Sequence, residues 1–141
     1  MVDRKLHRVQ EVIFPVLREQ LAENHPGLTV CSWVPDVDKR TYPILNVRRL
    51  GGLAKDMRRL DRAVIEITAY HRDGLIECDD LYHDARTVLW DMWEKQITTP
   101  AGSVSRIFET MGPTQFDSPF DDTWRVQGLI QLSIRPPRIS N

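Results

Sequence analysis

Between residues 60 and 92 the hydrophobic period of the chain changes once, and that change constrains the fold more than any other feature. In RLDRAVIEITAYHR, Ala63, Ile65, Ile67 and Ala69 alternate with Val64, Glu66, Thr68 and Tyr70. This is the period-2 signature of a half-buried strand in an antiparallel sheet. Asp73-Gly74 breaks the strand. Cys78, Leu81, Tyr82, Ala85, Val88, Leu89 and Met92 then fall on one stripe of a helix. Glu77, Asp79 and Asp80 sit in its first turn, where the positive end of the helix dipole favours carboxylates. Trp90 and Trp93 flank the stripe, and at least one is expected to cover the edge of the core.

The remaining elements follow from the same two periods. Leu6, Val9, Ile13, Val16, Leu17 and Leu21 recur at helical spacing. Pro15 lies inside that run, which calls for a kink or for a helix that starts near it in the tolerated first turn. Asn24-His25-Pro26-Gly27 ends the element. LTVCSW at 28–33 reads as a short strand, and Pro35, Asp36 and Asp38 open a polar turn. In YPILNVRRL, Ile44, Asn46 and Arg48 share one strand face, and Leu45, Val47 and Arg49 the other. Gly51-Gly52 reads as its end, leaving 51–60 as a long polar, basic loop, a type that is usually functional. Residues 98–102 read as a loop and 104–111 as a strand interrupted by Gly112-Pro113. Residues 117–122 (DSPFDD) form a turn, and 124–134 the last strand, where Gly128 points to a bulge. Pro136-Pro137 closes it, and 138–141 read as a loose tail. The fold class is α+β: a mostly antiparallel sheet of about five strands with two helices on one face, in the order α-β-β-β-α-β-β.

Size and charge limit the function classes. A chain of 141 residues is expected to be a single domain with its own core. With 19 basic against 20 acidic residues it lacks the basic excess of a dedicated nucleic-acid binder. No run approaches the ~20 apolar residues of a membrane span. Cys31 and Cys78 are too few for a disulfide framework and read as reduced, buried thiols of a protein made in a reducing cytoplasm.

No catalytic cluster stands out. His71, Cys78 and His83 lack zinc-ligand spacing, and no CxxC pair occurs. Glu77, Asp79, Asp80 and Asp84 could serve as acid/base or magnesium ligands, but a solvated helix start accounts for them. The serines lack a GxSxG elbow, and Gly51-Gly52 lacks the rest of a phosphate loop. Neither an enzyme nor a cofactor is expected. Arg48 and Arg49 end a strand before a glycine pair, where guanidinium groups suit bidentate contacts at an interface; plain solvation is the other reading.

The strand ending in VRRLGG, then DRAVIEITAYHRD, the helix DDLYHDARTVLWD and the closing GPTQF-DSP-FDDTWRVQGLIQLSIRPP together resemble the tail terminator (tail completion) proteins of long-tailed bacteriophages. The likeness covers nearly the whole chain. In that family a pair like Asp61-Arg62 enters the long strand, and an aromatic-rich turn like 116–124 leads into the last. The resemblance implies a structural virion protein at the head-proximal end of the tail. It implies a hexameric ring that caps the tube of the major tail tube protein and offers its other face to the head connector, or stopper, protein. DNA would pass the lumen without sequence-specific binding, and no membrane is involved. The interface residues it suggests are Arg48, Arg49, Gly51, Gly52, Lys55, Arg58 and Arg59 from the basic segment, Glu66 and Tyr70 from the long strand, and Phe116, Phe120 and Trp124 from the turn. A neck or head–tail joining protein of the same fold is the alternative, and a small α+β binding domain unrelated to phage a further one.

Overall fold

A computed structural model describes residues 6–137. The tail expected at 138–141 lies outside the described residues. Helix α1 (Val9–Leu21) is followed by strand β1 (Thr29–Cys31), a short 3-10 turn (Val37–Lys39) and strands β2 (Ile44–Asp56) and β3 (Leu60–His71). Helix α2 (Leu75–Glu94) leads to β4 (Thr98–Thr99), β5 (Gly102–Phe116) and β6 (Trp124–Arg135). These strands form one sheet in the order β1-β2-β3-β6-β5-β4. Among the described residues only the β1–β2 pair is parallel.

The alternation in β3 decides how the sheet is covered. Ala63, Ile65, Ile67 and Ala69 are buried and face the helices, beside Val126, Ile130, Leu132 and Ile134 of β6 and Leu45 and Val47 of β2. Onto this face α2 lays Cys78, Leu81, Tyr82, Ala85, Leu89 and Met92, and α1 adds Val9, Val12, Ile13, Val16, Leu17 and Leu21. Fully burying one such side chain contributes about 1.5–3 kcal/mol, so the shared face dominates stability. Trp93 packs against the core margin, and the more exposed Trp90 meets it edge-on at 5.0 Å. Helix α1 runs on both sides of Pro15, so it does not start there. Pro15 is exposed. The Glu11 carbonyl that loses its donor lies on the same outward face, where water can serve it.

Three expectations are corrected. The sheet has six strands, because Thr98–Thr99 folds back on Gly102 and Ser103 as a two-residue pairing. Gly51-Gly52 does not end β2: the register shifts between Arg49 and Gly51, so one extra residue is absorbed as a bulge and the strand continues to Asp56. Glycine is needed at position 52, where φ is +88° and a Cβ would collide with the Arg62 carbonyl. Gly112-Pro113 likewise leaves β5 continuous to Phe116, with register shifts against β6 taking up the irregularity.

Gly128 keeps an unbroken register with Ile67 of β3 and lies opposite the β5 irregularity between Met111 and Thr114, where the bulge expected at this position falls. It is required for a different reason. A Cβ there would strike the Tyr82 hydroxyl of α2 and come within 2.8 Å of the Met111 carbonyl. The Tyr82 hydroxyl is buried without a hydrogen-bond partner among the described residues, and burial pushes its pKa up to about 12. Gly128→Ala should therefore overpack this contact and destabilise the protein by roughly 1–3 kcal/mol. Tyr82→Phe, which removes the stranded hydroxyl, should be neutral or stabilising by about 1 kcal/mol and should recover part of the loss in the double variant. Urea titrations of the three variants check this; additive losses would contradict the direct contact.

Candidate assembly surface

What the sequence presents as a loop is an arm. The bulge at Leu50 turns β2, and a second register shift between Ala54 and Asp56 precedes the turn that returns the chain into β3. Asp56 organises that turn: its carboxylate accepts from the Arg58 N–H at 3.0 Å and its carbonyl from the Arg59 N–H at 3.0 Å. Aspartate at the first position of a turn does this by preference. The arm carries exposed Lys55, Arg58 and Arg59 and also Leu53 and Met57, which are 82% and 83% exposed. Two such apolar side chains on a projecting hairpin suit burial against another surface.

The two strand-end arginines behave differently from an unpaired interface pair. Arg48 lies on the outer face of the sheet, where its Nε donates to Glu66 at 3.0 Å across the β2–β3 ladder. Arg49 lies on the helix side and grips Asp61 with both terminal nitrogens, the longer bond being 2.8 Å. Asp61 is buried, and the bidentate bond holds the Arg49 guanidinium's pKa above its usual value. Glu66 does the same for Arg48. Both guanidinium groups thus have partners inside the chain. Tyr70 is buried too, beside Phe120 of the β5–β6 loop at a ring separation of 5.0 Å, and the Arg40 guanidinium lies over the Phe120 ring at 4.1 Å. Phe116 and Trp124 stay more than a third exposed at the end of the same loop, with the Arg125 guanidinium 5.2 Å from the Phe116 ring.

Beside this aromatic stack the outer face forms an open groove of about 500 Å³, lined by Trp33, Asp36, Arg40, Arg48, Glu66 and Phe120. Trp33 is 84% exposed at its rim and stood out in the sequence only as a strand residue. The sheet margins are open as well. Strand β1 covers residues 44–46 of β2, and β4 covers only Gly102 and Ser103 of β5. Residues 47–56 and 104–116 therefore have no outer strand partner among the described residues.

The polar residues weighed for chemistry do not converge. His71 Nδ1 accepts from the Asp73 N–H, while His83 lies between Asp79 and Arg86 on α2. Cys78 is buried and donates to the Ala69 carbonyl, its thiol pushed up to about 11 by burial; Cys31 is half-buried and free. Asp84 is 2.7 Å from His25, a tie between the end of α1 and α2 that the sequence spacing did not reveal. Among the described residues no group of three or more histidine, cysteine or carboxylate side chains could hold a metal ion, and no helix is long and apolar enough to cross a membrane.

A family model described as phage tail termination protein matches residues 5–141. The chain belongs to that family. It is 49% identical to the Gene 22 protein of Mycobacterium phage D29 over 93% of this chain and 94% of that one. It is also 49% identical to the Gene 22 protein of Mycobacterium phage L5, over 95% and 96%. In fold it is similar to a chain from the virion of a native gene transfer agent particle, with a TM-score of 0.56 at 12% identity over 90% of this chain and 94% of that one. The protein is accordingly a structural component of a phage tail, located in the virion.

Within this tail protein the Arg49–Asp61 pair ties the base of the arm to the sheet. Arg49→Glu would set two carboxylates together at a buried site and should cost about 1–3 kcal/mol, the exposed part of the guanidinium moderating the loss. Arg49→Lys, which cannot form the bidentate bond, should fall between. Thermal melts test the order wild type, Lys, Glu; equal melting temperatures would show that the pair holds nothing together.

Proposed function

We propose that this tail termination protein forms a ring on the finished tail tube, stops further addition of tube subunits and presents its far face to the head connector. Membership of the family over essentially the whole chain carries this reading. The shape supports it physically. A sheet with two open margins, an arm with exposed Leu53 and Met57, and an aromatic groove on the outer face give one subunit several dissimilar contact surfaces. Dissimilar surfaces meeting head to tail close into a ring when the rotation between copies returns on itself. Growth of the tube then ends because the exposed face of the ring offers the tube subunit no complementary surface.

The exposed positions on the arm, Lys55, Arg58 and Arg59 around Gly51 and Gly52, serve the contact to the neighbouring subunit or the tube. Phe116 and Trp124 serve the opposite end. Glu66, Arg48, Tyr70 and Phe120 act from behind, by fixing the groove's shape. The acidic start of α2 takes no part in a reaction, and the protein works by docking rather than by transforming a bound molecule.

The deciding measurement is tail length in particles made without this protein. Overlong, headless tubes are expected. Tails of normal length that merely lack heads would assign the protein to a joining layer nearer the head.

A further inference from the structure

Two ends of the molecule each gather a cluster of like charges. The β2–β3 turn, the start of β5, the end of β6 and the end of α2 lie together, because β3 pairs Asp61 with Ile134 and β5 pairs Ser103 with Arg135. There Lys55, Arg59, Arg62, Arg106 and Arg135 line one open cleft of about 560 Å³, with no carboxylate among its lining residues. None of the five takes part in an ion pair among the described residues. About 35 Å away, at the rise of an extended strand, lie the β3–α2 junction and the β5–β6 loop. That end exposes Glu77, Asp80, Asp117, Asp121 and Asp122, also without ion-pair partners among the described residues, while its arginines Arg72 and Arg125 lie over the rings of Tyr42 and Phe116.

We infer that the cationic cleft receives the acidic β5–β6 end of a second copy of this chain, so that neighbouring subunits of the ring meet basic end to acidic end. The inference rests on the ring reading above and adds the surface and the chemistry of the contact. Like charges crowded together are unfavourable in the free subunit, and both clusters gain by meeting the opposite sign. Apolar side chains accompany both. Leu53 and Met57 stand out beside the basic cleft, and Phe116 and Trp124 flank the acidic loop. That mixture suits a protein surface better than a phosphate backbone, and the overall balance of 19 basic and 20 acidic residues agrees. The contact joins two different surfaces, so it repeats from copy to copy until it closes.

Two charge-reversed proteins test this. Arg59→Glu with Arg62→Glu cuts the cleft's five positive charges to a net one; Asp117→Lys with Asp121→Lys cuts the five negative charges of the other end to a net one. All four positions are exposed, so melting curves should match wild type; if the arginine pair melts lower, Lys55→Glu with Arg59→Glu replaces it. By light scattering at low salt, each variant alone should self-associate at least about tenfold more weakly than wild type, and in an equal mixture the intact acidic end of one should pair with the intact cleft of the other. Added salt should weaken wild-type association. Undiminished assembly of either variant alone, or a mixture that stays apart, overturns the inference. So does a wild type that remains monomeric at every concentration, an outcome that leaves the tail-capping reading to the tail-length measurement. If instead the arginine variant loses binding to a DNA duplex while assembly is unchanged, the cleft is a phosphate site and the inference falls.

Discussion

The structure depends on one uninterrupted ladder. Strands β3 and β6 pair from Asp61–Ile134 to His71–Trp124 without a register shift, whereas β2 and β5 on either side of them each contain shifts. A one-residue slip in the central pair would turn Ala63, Ile65, Ile67 and Ala69 out of the core together. The helices could then bury nothing against it. Tyr82 over Gly128 pins the same register from the helix side, since only the strand position without a side chain can lie beneath that ring. Rigidity is thus concentrated at the centre of the sheet, and irregularity is displaced to its flanks.

From that centre outward, structure gives way to surfaces that suit assembly. The Arg49–Asp61 and Arg48–Glu66 pairs brace the arm's root on both faces of the sheet. Tyr70, Phe120 and Arg40 do the same for the β5–β6 loop. Beyond these braces exposed side chains cluster by sign, five cations at the cleft and five carboxylates about the β5–β6 loop and the β3–α2 junction. A near-zero net charge conceals this separation, because opposite excesses cancel in the sum.

Periodicity made the central part of the fold legible in the sequence. The alternation in β3 and the stripe of α2 each reflect burial on one side, and the structure buries those faces. The flanks were less legible because their signals are ambiguous. Glycine and proline pairs mark strand ends and strand bulges alike, so Gly51-Gly52 and Gly112-Pro113 read as breaks although both strands continue. Thr98–Thr99 is too short to show any period. Arginines at a strand end suggested an outside partner, but Asp61 and Glu66 come within reach only through the cross-strand fold. Tyr70 alternated with polar residues and so read as outward-facing; a loop about fifty residues later supplies the ring that covers it. Family likeness, which rests on the order of elements rather than on any one contact, identified the class of protein where local chemistry offered nothing.

The bulges along the two flanking strands carry a further consequence. An unpaired strand edge that is long and flat can recruit any other extended chain, and proteins with such edges tend to form fibres. Here β2 is turned at Leu50 and again near Lys55, and β5 is shifted at three places and has Pro113, which lacks an amide donor. Neither margin is a straight template. Newly made copies crowded in one cell are thereby kept from zipping into indiscriminate β-stacks, and adhesion is left to side chains that recognise a particular counterpart.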